Sequence, residues 1–322
     1  MKKSTKILLI TATALIIAGA TVFTCAMVTL GWDFTKLNTV KYETKIFEIS
    51  EEFGALSADV DSGDIVFKEA DDGKCKITCR QRESEPYSVT VNDGVLSISA
   101  KSTLKWYGYI GRLDFSSPSM TVYLPKKAYG DIRINGSTGD ITLPDGFTFE
   151  SIDANSDTGD VKCESDVTGR LKISLSTGDI DLRGLSAGEI ELKTSTGNMS
   201  LRGVECAGDI KVEMSTGNFT AEGVNCESLI SGGSTGNVTL KGVTARSSFD
   251  IKTSTGNVKF DGADAKTIKA KTSTGDITGT LLGEKIIFAE TSTGKTDVPK
   301  SSSGGRCELK TSTGDIIISV KK

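Results

Sequence analysis

A glycine-centred tetrapeptide, Ser-Thr-Gly-Asp/Asn or a close variant, returns along this chain every 19 or 20 residues. Its glycines are Gly139, Gly159, Gly178, Gly197, Gly217, Gly236, Gly256, Gly275, Gly294 and Gly314, at gaps of 20, 19, 19, 20, 19, 20, 19, 19 and 20. An earlier copy, Asp61-Ser62-Gly63-Asp64, stands 76 residues before Gly139, which equals four periods of 19. A short fixed period confines the chain to a stacked array, because one such unit cannot bury its own apolar face.

Apolar residues keep register with these glycines. Seven and five positions upstream lie Leu171 and Ile173, Ile190 and Leu192, or Ile210 and Val212. Two and four positions downstream lie Ile141 and Leu143, Ile180 and Leu182, or Val258 and Phe260. Alternation with period two is the signature of a strand with one buried face. A second glycine often follows six positions later, at Gly184, Gly203, Gly223, Gly242 and Gly262. One repeat therefore reads strand, glycine turn, strand, glycine turn, with glycine supplying the positive φ that such turns need.

The expected fold is all-β: a two-sheet parallel β-solenoid of roughly 19–20-residue coils, preceded by one N-terminal transmembrane helix. At roughly 4.8 Å per coil, ten coils give a rod of roughly 48 Å. Leucine-rich repeats need a Leu-x-x-Leu-x-Leu frame that is missing here, and propeller blades need about twice the period. The expected organisation is a cytoplasmic N-terminus at 1–6, an anchor at 7–32, a linker at 33–40, an irregular capping β region at 41–127 and regular coils at 128–322. In the capping region Asn92-Asp93-Gly94 is a hairpin signal. At the other end the chain stops in a strand followed by Lys321 and Lys322, which are expected to blunt the edge.

Lys2, Lys3 and Lys6 precede an uncharged run from Ile7 to Trp32. About 24 helical residues span about 36 Å, enough for a hydrocarbon core of about 30 Å. The lysines favour a cytoplasmic N-terminus, which puts the body outside the membrane, and Trp32 suits an interface. Ala18-Gly19-Ala20 offers a competing signal-cleavage reading, but apolar residues continue through Leu30, so an uncleaved anchor is expected. Cys25 lacks the flanking residues of a lipoprotein site.

The chain has no histidine, which removes Ser-His-Asp and Cys-His chemistry. Net charge is −4 with no basic block, so no nucleic-acid partner is expected. Its seven cysteines form no framework and read as small apolar fillers, although Cys206 and Cys226 fall one repeat apart.

Four features carry candidate chemistry. The residue after each turn glycine is Asp140, Asp160, Asp179, then Asn198 to Asn257, then Asp276, Lys295 and Asp315. Stacked carboxylates at Asp140, Asp160 and Asp179 are the weak candidates for a cation ladder; exchange with Asn and Lys favours a turn-satisfying role instead. Thr-x-Thr pairs at Thr253 and Thr255, Thr272 and Thr274, Thr291 and Thr293, and Thr311 and Thr313 resemble ice-binding arrays, but their parity places them with the inward residues, bonding backbone at a corner. Trp106, Tyr107, Tyr109 and Phe115 cluster with Lys105 and Arg112 in an otherwise aromatic-poor chain, as a contact site for glycan, lipid headgroup or protein, or as a plug over the solenoid end. No carboxylate pair stands outside the repeat for acid–base work, so no catalytic residue and no cofactor are expected.

The single N-terminal helix, Gly31-Trp32-Asp33-Phe34-Thr35-Lys36-Leu37 after it, and the recurrent Ser-Thr-Gly-Asp turns resemble the putative adhesin family of bacterial β-strand-repeat proteins, a domain of unknown function. The resemblance covers roughly residues 31–322. It implies a solenoid at the surface of a Gram-positive cell, some members lying beside genes for cell-envelope stress, and it carries no catalytic residue onto this chain. The expected function is a membrane-anchored surface structural or binding module, adhesin-like, that contacts cell-wall glycan or an envelope protein. An accessory sensor of envelope stress is the alternative, and a polysaccharide-active enzyme ranks last.

Overall fold

The computed structural model describes residues 3–100 and 112–321. A helix, Lys3–Thr29, is followed by a short 3-10 turn, Phe34–Leu37, and then by strands alone. The strands build a β-solenoid of about ten turns with two sheets. Each coil, named here by its turn glycine, gives one long strand before the glycine and one short strand after it. The Gly197 coil, for example, runs from Ser186–Thr196 in one sheet to Met199–Arg202 in the other. Successive long strands pair in parallel, and so do successive short ones.

Identical positions stack. Ile190 pairs with Ile210, which pairs with Leu229, and Met199 pairs with Phe219, which pairs with Val238. All are buried, so the core is a continuous seam between the sheets. The walls also carry an inward column the alternation around the main glycine did not reveal. Leu185, Val204, Val224 and Val243 directly follow the second glycine and are fully buried.

Much of the 19-or-20 variation is absorbed at a crease in the long strand. Between the Gly197 and Gly217 coils, Ala187 pairs with Cys206 but Ile190 pairs with Ile210, so the extra residue sits between them. Register shifts recur at the matching crease between Val167 and Arg170, Cys226 and Ser228, and Ala245 and Ser248. A bulge at the crease keeps both apolar columns and the glycine column aligned.

Chain order and stacking order differ at both ends. Gly63 lies directly against Gly139, since Ala55–Ser62 pairs with Ala128–Thr138 and Gly63 N–H donates to Thr138 O at 2.7 Å. The 76-residue interval therefore contains no four coils, correcting the arithmetic reading. Instead, Val95–Ala100 and Ser119–Leu124 form a coil on the outer side of the Gly63 coil. Antiparallel strands finish this base: Tyr42–Ile49 on Cys75–Arg82, itself on Ser119–Leu124, in one sheet, and Tyr87–Asn92 on Val95–Ala100 in the other. The latter is a hairpin closed by Asp93 and Gly94, both at positive φ.

At the distal end the last coil is inserted. Gly305–Thr313 lies between Val258–Lys271 and Lys285–Thr293, and Ile316–Val320 lies between Ile277–Leu281 and Thr296–Asp297. The terminal strand is thus internal, and Lys321 does not guard the edge as expected; Lys322 lies outside the described residues. The edge strand is Lys285–Thr293. It begins with Lys285, whose buried ammonium meets Asp264 Oδ1 at 2.6 Å. An inward charge of this kind discourages further strand pairing.

Candidate functional site

The recurring turn makes one edge of the rod. Each of its glycines has φ between 118° and 150°, and in each a Cβ would meet the carbonyl of the stacked residue: 2.3 Å at Gly139 and 1.6 Å at Gly236. The Gly184 column differs, with φ near 60° and open space around it. The first column is bound by contact as well as by backbone angle, and the second by angle alone.

The Asp/Asn column ties these turns together. Asp140 N–H donates to Asp64 Oδ1 at 3.0 Å, Asp160 N–H to Asp140 Oδ1 at 2.8 Å, and Asp179 N–H to Asp160 Oδ1 at 2.8 Å. The series runs on through Asn198, Asn218, Asn237, Asn257, Asp276 and Asp315. A carboxylate and an amide oxygen accept equally here, which explains the free exchange of Asp and Asn. The ladder ends where Lys295 N–H donates to Asp315 Oδ1 at 2.7 Å. No further coil stacks beyond Lys295 among the described residues, so its side chain needs no acceptor. Asp140, Asp160 and Asp179 occupy three successive rungs, and each spends one oxygen on the next amide. Among the described residues no group of three or more His, Cys, Asp or Glu is placed to hold a metal ion.

The paired threonines divide. Thr253, Thr272 and Thr311 are buried and Thr291 half-buried, with hydroxyls donating to carbonyls of Gly236, Gly256, Gly275 and Gly314 at 3.4, 3.0, 2.9 and 2.9 Å. Thr255, Thr274, Thr293 and Thr313 are exposed, because the strand ends at the glycine corner. Trp106, Tyr107 and Tyr109 lie outside the described residues. Arg112 is half-buried at the base, with its guanidinium 3.2 Å from Ser84 Oγ and 3.7 Å from Glu85.

Beside Arg112 sits a polar lock. Arg82 bridges Asp114 at 2.7 Å and Glu85 at 2.6 Å, and Tyr42 Oη donates to Asp114 at 2.9 Å. Burial opposes ionisation of Asp114, but the Arg82 and Tyr42 hydrogen bonds prevail and hold its pKa below the usual carboxylate range. A cleft of ≈ 460 Å³ opens at the opposite end of the Tyr42–Ile49 strand from this lock, lined by Phe53, Tyr129, Lys127, Glu51 and Asp72. There the Lys127 ammonium lies 5.3 Å from the Phe53 ring and 5.1 Å from Tyr129. Sequence reasoning missed this cleft, since its walls come from separate strands. Six cysteines are buried and all are free thiols. Burial pushes Cys79, Cys163, Cys226 and Cys307 up to about 12, so these thiols are unreactive fillers.

Fold and turn column together define a parallel β-solenoid whose coils are bolted by an Asp/Asn side-chain ladder. The family model for Toastrack DUF4097 matches residues 53–223 and 207–322, and the chain belongs to that family. Among solved structures it is similar to a Bacteroides fragilis protein described as a putative adhesin, at 16% identity and TM-score 0.42, covering 86% of this chain and 97% of that one. A Parabacteroides distasonis protein of the same description matches at 15% identity and TM-score 0.47, covering 88% and 98%. No curated protein matches the sequence.

Proposed function

We propose that this chain is a single-pass, membrane-anchored scaffold whose solenoid stands outside the membrane and presents its lateral faces to an envelope partner, cell-wall glycan or protein, without catalysing a reaction. The observation that carries the reading is the helix Lys3–Thr29. It is apolar and long enough to cross a bilayer, and it is exposed along its length except at Met27. Such a surface is unfavourable in water by about 25 cal/mol for each Å² left exposed. The rod supports the scaffold reading because its polar groups are spent on its own stacking. The Asp/Asn oxygens accept amides, and the buried threonines donate to carbonyls.

Topology and partner are tested together on intact cells. Membrane association that survives alkaline carbonate, external protease cleavage within 41–322, and cosedimentation with isolated wall polymer are the expected results. Release by carbonate would defeat the anchor. Crosslinking to one envelope protein, with no wall binding, would move the assignment to signalling. Wall polymer shortened by the protein would make it an enzyme.

A further inference from the structure

The base of the solenoid bears an exposed apolar group that the packing of the rod does not use. Trp32, Phe34, Leu113 and Phe115 are 56%, 42%, 47% and 47% exposed. They come from two segments far apart in sequence, and both segments are fixed. Gly31 and Trp32 take positive φ, and the ring of Phe34 then packs 6.4 Å from that of Phe23 on the helix. Asp33 caps the following turn by accepting from Thr35 N–H at 3.0 Å, and Lys36 Nζ donates to Leu30 O at 3.2 Å. The turn is thus strapped to the helix end.

The second segment is held to the first. Thr39 N–H donates to Leu113 O at 2.9 Å, Leu113 N–H to Thr39 Oγ1 at 3.0 Å, and Phe115 N–H to Asn38 Oδ1 at 2.6 Å. Exposure alternates along the segment from 112 to 117, so Leu113 and Phe115 turn outward and Asp114 inward. Asp114 points into the Arg82–Tyr42 lock, while Leu113 and Phe115 face solvent. The Phe115 ring lies 5.9 Å from Phe34, completing an aromatic path from Phe23 on the helix to the body.

The depth of that path decides its partner. At 1.5 Å per residue, Phe23 stands about 25 Å along the helix from Lys6, just within a hydrocarbon core of about 30 Å. The Phe34 ring is 6.4 Å from Phe23 and the Phe115 ring 5.9 Å from Phe34, so both stay within about 12 Å of Phe23. We infer that Trp32, Phe34, Leu113 and Phe115 form a foot that seats the base of the solenoid in the outer boundary of the phospholipid bilayer. The inference rests on the reading that Lys3–Thr29 spans a membrane. A lipid occupant is favoured over a second copy because the aromatic path is continuous with the helix surface that lipid would already cover. The amphipathic indole of Trp32 suits the headgroup level, and Phe34, Leu113 and Phe115 suit the apolar side of it. The consequence is a rod mounted at a set angle, since the foot and the helix are two points of attachment.

The test uses the full chain in liposomes of phosphatidylcholine and phosphatidylglycerol, doped with a phosphatidylcholine whose acyl chain carries a diazirine. After irradiation, adducts are mapped by peptide mass spectrometry. Expected are adducts within 7–29 and also at 32–34 and 113–115. Phe288, 53% exposed at the distal end, should carry at least tenfold less label. Adducts within 7–29 but none at 113–115 would overturn the foot and leave the anchor standing. No adducts within 7–29 would overturn the anchor reading and the foot with it. Equal labelling of Phe288, or crosslinks from 113–115 to a second copy, would also refute the proposal.

Discussion

Replacing Gly236 by alanine isolates what the turn column contributes. The new Cβ would lie 1.6 Å from the carbonyl oxygen of Gly217 and 2.6 Å from its carbon. Reaching about 3.0 Å requires the two coils to part by about 1.4 Å at that corner, because the obstacle is backbone. Three hydrogen bonds cross there: Gly217 N–H to Thr235 O at 3.0 Å, Phe219 N–H to Asn237 O at 2.9 Å, and Asn237 N–H to Asn218 Oδ1 at 3.0 Å. Opened by that amount they cease to be hydrogen bonds, at about 1 kcal/mol each. The φ of 144° adds strain of about 1–3 kcal/mol for a residue with a Cβ. The total loss is about 4–6 kcal/mol. Gly242→Ala is the control: φ is 57° and the nearest atom, Gly223 N, is 4.0 Å away, so only the left-handed cost of about 1–2 kcal/mol applies. Guanidinium denaturation of both variants, with amide exchange read coil by coil, measures the difference. Protection should fall at Gly217, Phe219 and their neighbours, and persist several coils away, since each coil contacts only adjacent ones. If the two variants lie within about 1 kcal/mol of each other, contact between stacked glycines does not govern the turn.

Other outcomes follow from the same geometry. Asn218→Ala removes the acceptor for Asn237 N–H and should cost about 1 kcal/mol, whereas Lys295→Ala, at the end of the ladder, should change the denaturation midpoint negligibly. Asp114→Asn should cost about 1–3 kcal/mol at neutral pH by leaving Arg82 short of a partner. Because folding lowers the Asp114 pKa, its contribution is present above the unfolded value of about 3.9 and is lost as pH falls through the folded value. The gap between variant and parent should therefore hold from pH 7 to about 4 and close below that, and a gap that persists undiminished at the acid end would contradict the lock. Iodoacetamide at pH 8 should spare the six buried cysteines of the solenoid, as counted by intact mass, and reach them only after denaturation. Truncation after Gly304 removes the coil on which Lys285–Thr293 and Thr296–Asp297 pair, so exchange protection across 285–297 should collapse while the Gly197 coil keeps its own.

The period, the strand pair in each coil and the parallel stacking were legible because each is a local property repeated many times. Gly236, Leu240 and Ile251 announce their roles by position alone, whereas the further inward column, the Val or Leu after the second glycine, falls outside the alternation around the turn glycine. The crease that takes up the twentieth residue was not visible, since a bulge depends on which residues the next coil sets opposite.

Sequence by itself determined that glycine-punctuated coils stack, that the apolar pairs flanking each turn glycine face inward, and that an apolar helix precedes them. Tertiary structure alone decided the order of the coils at the ends, the seating of Leu113 and Phe115 beside Phe34, and the meaning of Lys295. The physical reason is that near-identical coils offer near-identical edges. A Gly275 coil can accept either Gly294 or Gly314 by local rules, and only the loops, the buried Lys285–Asp264 pair and the packing of the whole end select Gly314.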